Sequence, residues 1–229
     1  MLRRGRRDGA GSSRAATNAL LHDLAAGCWR PAAWAKFLVA AARRSVDQAR
    51  VHPRALAEVT ALHGLLFAVA PPSGRRWISS SWLLASTHLG LLEDRSHLVP
   101  ADLLTLARGN LPAVVGARHP WVASLAMATD FVDGKLARGT GTTTPFGAYA
   151  DVFADASFWI WFTTDREDGR WVRVTAAATW LLPVAAVTAL SVGRGRMVDA
   201  PRPRWVRPAA TLQVLLTGRA LWRAQRRRT

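Results

Sequence analysis

The sequence predicts an all-α protein, built as a polytopic bundle of about five to seven transmembrane helices. Half of the 229 residues are hydrophobic, which excludes wholesale disorder and allows a sizeable core. Residues 174–193 form a run of 20 positions without a charged side chain, long enough to cross a bilayer core of about 30 Å. None of the apolar segments alternates like a β strand. Tryptophans stand near the ends of apolar segments, as in an interfacial aromatic belt: Trp121, Trp171, Trp205 and Trp222.

The charge of the chain narrows the class of partner. The 31 Lys and Arg residues outnumber the 15 Asp and Glu residues and give a formal net charge of +16. Such a surplus suits either nucleic acid or anionic lipid. The basic residues stand at the termini and between apolar segments rather than along one helix, so we expect membrane lipids and no nucleic acid as partners. A single cysteine, Cys28, excludes an internal disulfide and a cysteine-based zinc site.

The part of the chain before residue 100 divides into two regions. Residues 1–50 combine a basic tail, which lacks the apolar core of a secretory signal, with amphipathic helices expected at the membrane surface. Residues 51–99 contain two short apolar segments, 56–70 and 77–93. At about 1.5 Å per residue, each of these barely reaches across a bilayer, so their topology stays open.

From residue 100 onward, clear turn signals separate the apolar segments. Gly, Pro and charged residues mark these turns. We expect helices over residues 101–117, 120–132, 145–163, 171–193 and 207–222. Residues 100–222 are therefore predicted to form one membrane domain, which is followed by a basic tail over residues 223–229.

Four aspartates stand inside or at the end of these apolar segments, where a charged side chain is costly and indicates function by default. Asp130 and Asp133 are three residues apart, and Asp151 and Asp155 are four apart, so each pair shares one face of a helix. A hairpin through residues 139–144 would bring the two faces together. Four carboxylates in one site repel each other unless a cation neutralises them, and hard oxygen ligands suit Mg²⁺, Mn²⁺ or Ca²⁺. A pair of metal ions is the arrangement that phosphoryl transfer uses.

The spacing of these residues resembles the signature of the CDP-alcohol phosphotransferase family, D-x2-D-G-x2-A-R-x8-G-x3-D-x3-D. All eight fixed positions match: Asp130, Asp133, Gly134, Ala137, Arg138, Gly147, Asp151 and Asp155. A weaker similarity lies upstream, where the family often carries Asn-x-Leu-Thr-x-x-Arg. Residues 102–108 fit this stretch with Asp102 in place of Asn, and the gap from Thr105 to Asp130 is short for the family.

The resemblance implies an integral membrane transferase that moves the phosphatidyl group of a CDP-linked lipid, with CDP-diacylglycerol as the expected donor, to an alcohol hydroxyl and releases CMP. It implies two Mg²⁺ or Mn²⁺ ions on Asp130, Asp133 and Asp151, with Asp155 as general base and, by analogy, a further metal ligand. Contacts with the CDP moiety are expected from Gly134, Ala137, Arg138, Gly147 and Thr105, with Arg108 as an additional contact.

The residue types fit these roles. The small residues let a nucleotide approach the backbone, and the planar guanidinium of Arg138 suits a pyrophosphate. Thr105 and Arg108 are equally well read as a hydroxyl satisfied within its own helix and an arginine that reaches the membrane interface.

Topology follows from where the substrates are found. CDP and a small alcohol acceptor are available in the cytosol, so we expect a multi-pass protein of the cell membrane whose active site faces the cytosol. The arginines between 193 and 207 then fall on the cytosolic side, as the positive-inside rule requires. If the segment 207–222 spans, it places the C-terminal arginines outside, against that rule. A homodimer is left open.

Two other interpretations stay open at this stage. A non-catalytic basic protein that binds membrane or nucleic acid would keep its binding without the four aspartates and lose it with salt. An inactive member of the same family would share the fold without turnover, although the intact signature argues against it. The acceptor alcohol is not encoded in a recognisable motif.

Overall fold

The computed structural model of the chain describes residues 13–115, 119, 121–139, 141–198 and 206–226. Over these residues the chain forms ten α helices and a 3₁₀ helix at Leu89–Leu92, without a β strand, which confirms the all-α prediction. The helices are α1 Ser13–Ala26, α2 Pro31–Val51, α3 Pro53–Val69, α4 Pro72–Thr87, α5 Pro100–Gly109, α6 Leu111–Val114, α7 Val122–Gly139, α8 Pro145–Arg166, α9 Arg170–Arg194 and α10 Val206–Arg226.

Proline and glycine set many of the helix boundaries. Five helices begin with a proline, whose fixed φ angle suits the first turn and whose missing N–H costs nothing there: Pro31, Pro53, Pro72, Pro100 and Pro145. Helix α9 ends at Gly195, which adopts the left-handed conformation at a φ of 61°. The helix predicted over residues 101–117 is interrupted at Asn110, after which a new short helix begins at Leu111 with Pro112 in its first turn.

One of the described helices, α9, is long and apolar enough to cross a membrane. Helices α7 and α8, with 18 and 22 residues, have comparable lengths. Their charged side chains, which include the four predicted aspartates, lower their mean hydropathy. The helical fold is therefore confirmed, whereas helix length and hydropathy do not establish the multi-pass arrangement.

Helix α5 packs against both α7 and α8 and joins them around the predicted site. Beyond the site, α7, α8, α9 and α10 share a hydrophobic core, in which aromatic side chains of α8 are almost fully buried. The largest members of this core are Phe158, Trp159, Phe162 and Trp180. This aromatic packing holds α8, which carries two of the four aspartates, against three other helices.

Helix α10 runs beside α8 in the same direction. Gln213 Nε2 donates to Asp155 Oδ2 at 3.4 Å. Further along α10, Arg219 and Arg223 lie 2.9 and 3.0 Å from the carboxylate of Glu167, which follows the last residue of α8. Glu167 is 3% exposed, so two arginines neutralise it within the protein. The C-terminal end of α10 therefore lies beside the turn between α8 and α9.

Helix α1 packs against the opposite end of α9. Trp29 Nε1, which follows α1, donates to the Val192 carbonyl at 3.1 Å. The backbone N–H of Met197 donates to Asn18 Oδ1 at 2.7 Å. These contacts attach α1 and the turn after it to the end of the α8–α9 hairpin that carries the N-terminus of α8.

Helices α3 and α4 are attached to the end of α5 by partly buried hydrogen bonds. His63 Nδ1 lies 2.8 Å from a carbonyl of its own helix and donates to it, so Nε2 of the neutral ring is an acceptor. Ser81 Oγ then donates to His63 Nε2 at 3.0 Å, and Asn110 Nδ2 donates to Ser81 Oγ at 2.9 Å. Trp77 Nε1 donates to the Gly109 carbonyl at 2.9 Å. The C-terminal end of α5 is thus held by the helices that precede it.

Glu167→Gln should lower the unfolding temperature, because it removes the negative charge that pairs with Arg219 and Arg223 while keeping the size of the buried side chain. Breaking a fully buried pair costs more, but these arginine side chains are 52% and 37% exposed, so we expect a loss of about 1–3 kcal/mol in unfolding free energy. Thermal unfolding in a fixed detergent measures the change. The exposed neighbour variant Asp168→Asn is the control. Equal shifts for both variants would contradict a stabilising role of the Glu167 pairs.

Candidate active site

Helices α7 and α8 bring their aspartates to one place. Carboxylate oxygens of Asp130, Asp151 and Asp155 all lie within 4.8 Å of one another. The side chains of Asp130 and Asp151 are 41% and 46% exposed, so the trio has an open side. Asp133 lies next to the trio, and its side chain is 6% exposed. The two aspartate faces thus meet as the sequence predicts, with Asp133 deeper than the others.

The guanidinium of Arg108, from α5, lies among these carboxylates. Nη1 donates to Asp130 Oδ1 at 2.7 Å and to Asp155 Oδ1 at 2.6 Å. Nη2 donates to Asp151 Oδ1 at 2.5 Å and lies 3.7 Å from Asp133 Oδ2. The side chain of Arg108 is 1% exposed, so it does not reach a membrane interface. A contact of Arg108 with the CDP moiety stays a prediction.

Thr105 lies one turn before Arg108 on α5 and is buried. Its Oγ1 lies 2.8 Å from Asp133 Oδ2 and 3.0 Å from the Ala101 carbonyl, and one hydroxyl proton serves both. The hydroxyl therefore holds Asp133 from the protein side, away from the open side of the trio. Its predicted contact with CDP is not part of this geometry and stays a prediction.

The N-terminus of α8 explains one glycine of the signature. The hydroxyl of Thr144 accepts a hydrogen bond from the Gly147 N–H at 2.8 Å and caps the helix. A Cβ atom on Gly147 would lie 2.6 Å from Asp102 Oδ1 and 3.2 Å from Thr144 Oγ1, so only glycine allows this approach. Within the described structure Gly147 serves helix packing, and its contact with the nucleotide stays a prediction.

Asp102, which stands where the family often has asparagine, connects two helix starts. Its Oδ2 accepts from the Val99 N–H at 3.2 Å at the start of α5, and its Oδ1 lies 3.5 Å from the Thr144 hydroxyl at the start of α8. The partial positive charge of helix N-termini favours a carboxylate in such a place. The contacts of Asp102 with these two helix starts therefore give a structural reason for an aspartate, rather than an asparagine, at position 102.

The remaining signature residues lie in the last turns of α7. Arg138 is exposed, and its Nη1 lies 3.1 Å from the place that a Cβ atom of Gly134 would take. The guanidinium therefore folds back over Gly134 and is accessible to a ligand. The side chain of Ala137 lies outside the part of the chain that the structure describes. The predicted contacts of these three residues with CDP stay predictions.

The donor set of the cluster fits a divalent cation. Asp130, Asp151 and Asp155 offer carboxylate oxygens from two helices, close enough together that they could hold a metal ion. Such hard ligands are those that Mg²⁺ and Mn²⁺ prefer. Asp130 and Asp151 would admit the ion from the open side, and Asp133 lies close enough to join them.

Two contacts of the site are absent from the sequence prediction. Arg108 is named there, but not as the common partner of all four aspartates. Gln213 is not named, although it donates to Asp155. The position of its amide inside the apolar segment 207–222 could have indicated such a contact, because polar side chains in apolar segments need a hydrogen-bond partner. The direction in which Arg108 points has no comparable signal along the chain.

Gly147→Ala should destabilise the protein, because its Cβ atom would push Asp102 and Thr144 away from the start of α8. We expect a loss of about 1–3 kcal/mol, typical of overpacking, seen as a lower unfolding temperature. Gly218→Ala in α10 is the matched control, since a Cβ atom there meets nothing within 4 Å and alanine favours the helix. A Gly147→Ala protein as stable as the Gly218→Ala protein would contradict the close approach.

A comparison with known protein families finds a match over the part of the chain that contains the site. The family model for CDP-alcohol phosphatidyltransferase matches residues 99–225, which is more than half of the chain and includes the whole cluster together with α5. No curated protein and no solved structure matches the chain significantly. The match supports transfer of a substituted phosphate group from a CDP-alcohol. This chain belongs to the CDP-alcohol phosphatidyltransferase family.

Proposed function

We propose that this chain is an integral membrane enzyme that transfers the phosphatidyl group of CDP-diacylglycerol to the hydroxyl of a small alcohol and releases CMP. The observation that carries the proposal is the approach of Asp130, Asp151 and Asp155 to within 4.8 Å, inside the region that matches the family. Clustered carboxylates repel one another, and the single guanidinium of Arg108 offsets only part of this repulsion. Binding of a polyanionic donor through divalent cations would explain why these carboxylates lie close together.

The outer faces of α7, α8, α9 and α10 support a location in the membrane. Large apolar side chains there are more than half exposed: Phe131, Val132, Trp171, Leu181, Leu182, Val214, Leu215 and Trp222. Water would make so much uncovered apolar surface unfavourable, whereas hydrocarbon chains would cover it. Together with the length of α9, this surface supports a multi-pass protein of the cell membrane.

The proposed orientation places the start of α8 and the end of α9 at the cytosolic face. Helix α1 lies at this end, because Trp29 contacts Val192. The turn at Glu167 then lies on the other side, together with the end of α10. There, the Glu167 carboxylate pairs with Arg219 and Arg223 and offsets one of their two positive charges, which lowers the cost of placing these arginines away from the cytosol.

The proposed division of labour along the chain follows the same orientation. Residues 1–50 form a cytosolic basic tail and surface helices, and residues 51–99 form two short apolar helices beside α5. Residues 100–222 form the catalytic membrane domain, and the basic stretch 223–229 begins within the last turn of α10, which ends at Arg226. In this scheme the first 98 residues support the site from outside the region that matches the family.

Donor binding uses the open side of the cluster. Arg138 would hold the pyrophosphate with its planar fork. Gly134 has no side chain and so leaves room for this guanidinium beside the helix. Asp130, Asp133 and Asp151, joined by Asp155, would hold two Mg²⁺ or Mn²⁺ ions. When bound, these ions neutralise the carboxylates and the charge that develops on the leaving CMP.

Asp155 is the proposed general base. It lies one turn deeper on α8 than Asp151, and its side chain is 22% exposed against 46%. Its carboxylate takes the proton of the acceptor hydroxyl while the hydroxyl oxygen bonds to the phosphorus of the phosphatidyl group. The bond from that phosphorus to the oxygen of CMP breaks, and CMP leaves with the electron pair. Gln213 donates to the second oxygen of Asp155 and orients the base.

A transfer assay tests the proposed function. Membranes that contain the protein are incubated with labelled CDP-diacylglycerol, Mg²⁺ or Mn²⁺, and a panel of small alcohol acceptors. We expect release of CMP together with one labelled phosphatidyl-alcohol product, and loss of both after chelation. Membranes with Asp130→Asn plus Asp151→Asn are the matched control. Absence of transfer with every acceptor, or full turnover after confirmed removal of metal, would contradict the proposal.

Asp155→Asn separates the base from the metal ligands. The variant keeps the shape of the side chain but cannot accept a proton, so turnover should fall by about 10²-fold or more while metal and donor still bind. Asp133→Asn should instead weaken metal and donor binding together. Donor binding in the presence of metal is measured beside turnover for each variant. If Asp155→Asn loses binding as completely as Asp133→Asn, Asp155 is chiefly a ligand and another group is the base.

A further inference from the structure

Arg108 occupies the space that the carboxylates of the site enclose. Its two terminal nitrogens contact Oδ1 of Asp130, Asp151 and Asp155, and Nη2 lies 3.7 Å from Asp133. Four carboxylates and one guanidinium, all ionised, leave a net charge of −3. The guanidinium therefore compensates only part of the repulsion, yet it holds the four aspartates together without any other cation.

Three carboxylate oxygens, the Oδ1 atoms of Asp130, Asp151 and Asp155, converge on the two terminal nitrogens of Arg108. Divalent cations such as Mg²⁺ bind carboxylate oxygens at about 2.1 Å. A cation at that distance from Asp155 Oδ1 lies within about 5 Å of Nη1, because Nη1 is 2.6 Å from the same oxygen. Two positive groups so close together in a partly buried site repel each other strongly. The guanidinium and the cation therefore compete for the same carboxylates.

The aspartate cluster is closed to solvent on the side of Arg108 and open on the opposite side. Its side chain is 1% exposed, whereas those of Asp130 and Asp151 are 41% and 46% exposed. A cation therefore reaches the aspartates from outside, opposite to the arginine. Arg108 Nε is also buried and has no hydrogen-bond partner among the described residues. A guanidinium that leaves one donor unsatisfied is held less firmly than its terminal contacts alone indicate.

We propose that Arg108 is a built-in counter-ion of the metal-free site, and that divalent cations bind by displacing it from the aspartates. The inference rests on the proposed function, because it concerns the same carboxylates. Arg108 keeps the cluster assembled between α5, α7 and α8 when no metal is present. It also weakens metal binding, so that the site fills only at a metal concentration set by this competition.

Metal affinity of the purified protein in detergent tests the inference without any turnover. Titration with Mn²⁺ alone, followed by electron paramagnetic resonance, gives the dissociation constant for the wild type and for Arg108→Met. We expect Arg108→Met to bind Mn²⁺ at least tenfold more tightly, because both the competitor and its charge are gone. The same variant should unfold at a lower temperature than the wild type without metal, and Mn²⁺ should raise its unfolding temperature more.

Two further variants provide the controls. Arg138→Met removes the same charge from an exposed arginine over Gly134, so its Mn²⁺ affinity should change less than threefold. Arg108→Lys keeps the positive charge and should bind Mn²⁺ nearly as the wild type does. If folded Arg108→Met protein is obtained only in the presence of Mn²⁺, this rescue by the metal supports the inference. If the variant does not fold even with Mn²⁺ present, the result counts against the inference.

The outcomes separate this inference from the proposed function. Wild-type protein that binds Mn²⁺, together with an Arg108→Met variant that binds it equally or more weakly, overturns the role of Arg108 alone. An equal gain in affinity for Arg138→Met would reduce the effect to general charge and would also overturn it. If neither the wild type nor Arg108→Met binds Mn²⁺, both the inference and the metal-dependent function are wrong.

Discussion

A buried guanidinium surrounded by four carboxylates is the interaction on which the arrangement of α5, α7 and α8 depends. The aspartates of α7 and α8 repel one another, so the short connection between these helices would not by itself keep their faces together. Arg108 supplies the opposite charge from α5 and contacts both helices. Removing one partner from such a buried group leaves uncompensated charge, which costs more than most apolar contacts supply. The same contacts of Arg108 therefore balance the charge of the site and hold α5, α7 and α8 together.

The position of α5 depends in turn on contacts made before and after it. At its C-terminal end, the chain from His63 through Ser81 to Asn110 joins it to α3 and α4. At its N-terminal end, Asp102 connects the starts of α5 and α8 at a distance that Gly147 permits. Both ends of a ten-residue helix are therefore held by polar contacts that are directional and specific. This precision matters, because Arg108 and Thr105 lie between them.

Charge pairing also organises the end of the bundle away from the site. Glu167 accepts hydrogen bonds from two arginines of α10, and Gln213 of the same helix reaches Asp155. Helix α10 thereby connects the cluster to the turn between α8 and α9. The apolar faces of α7 to α10 remain uncovered and suit a hydrocarbon environment, while these polar contacts point inward. Polar contacts inside and apolar surface outside are the distribution that a bilayer favours.

The sequence by itself determined the helical class, the approximate starts of several helices and the four aspartates. The helix predicted over residues 120–132 continues to Gly139 in the structure, so it carries Asp133, Gly134 and Arg138 as well. Prolines mark helix starts locally, and spacings of three or four residues place Asp130 with Asp133 and Asp151 with Asp155 on shared faces whatever their surroundings. Only the tertiary structure decided that Arg108 faces all four carboxylates, that Gln213 supports Asp155, and that the predicted helix 101–117 breaks at Asn110. Periodicity reports the face of one helix, whereas the partner of a buried charge depends on which helices pack together, and that choice is made between segments far apart in the chain.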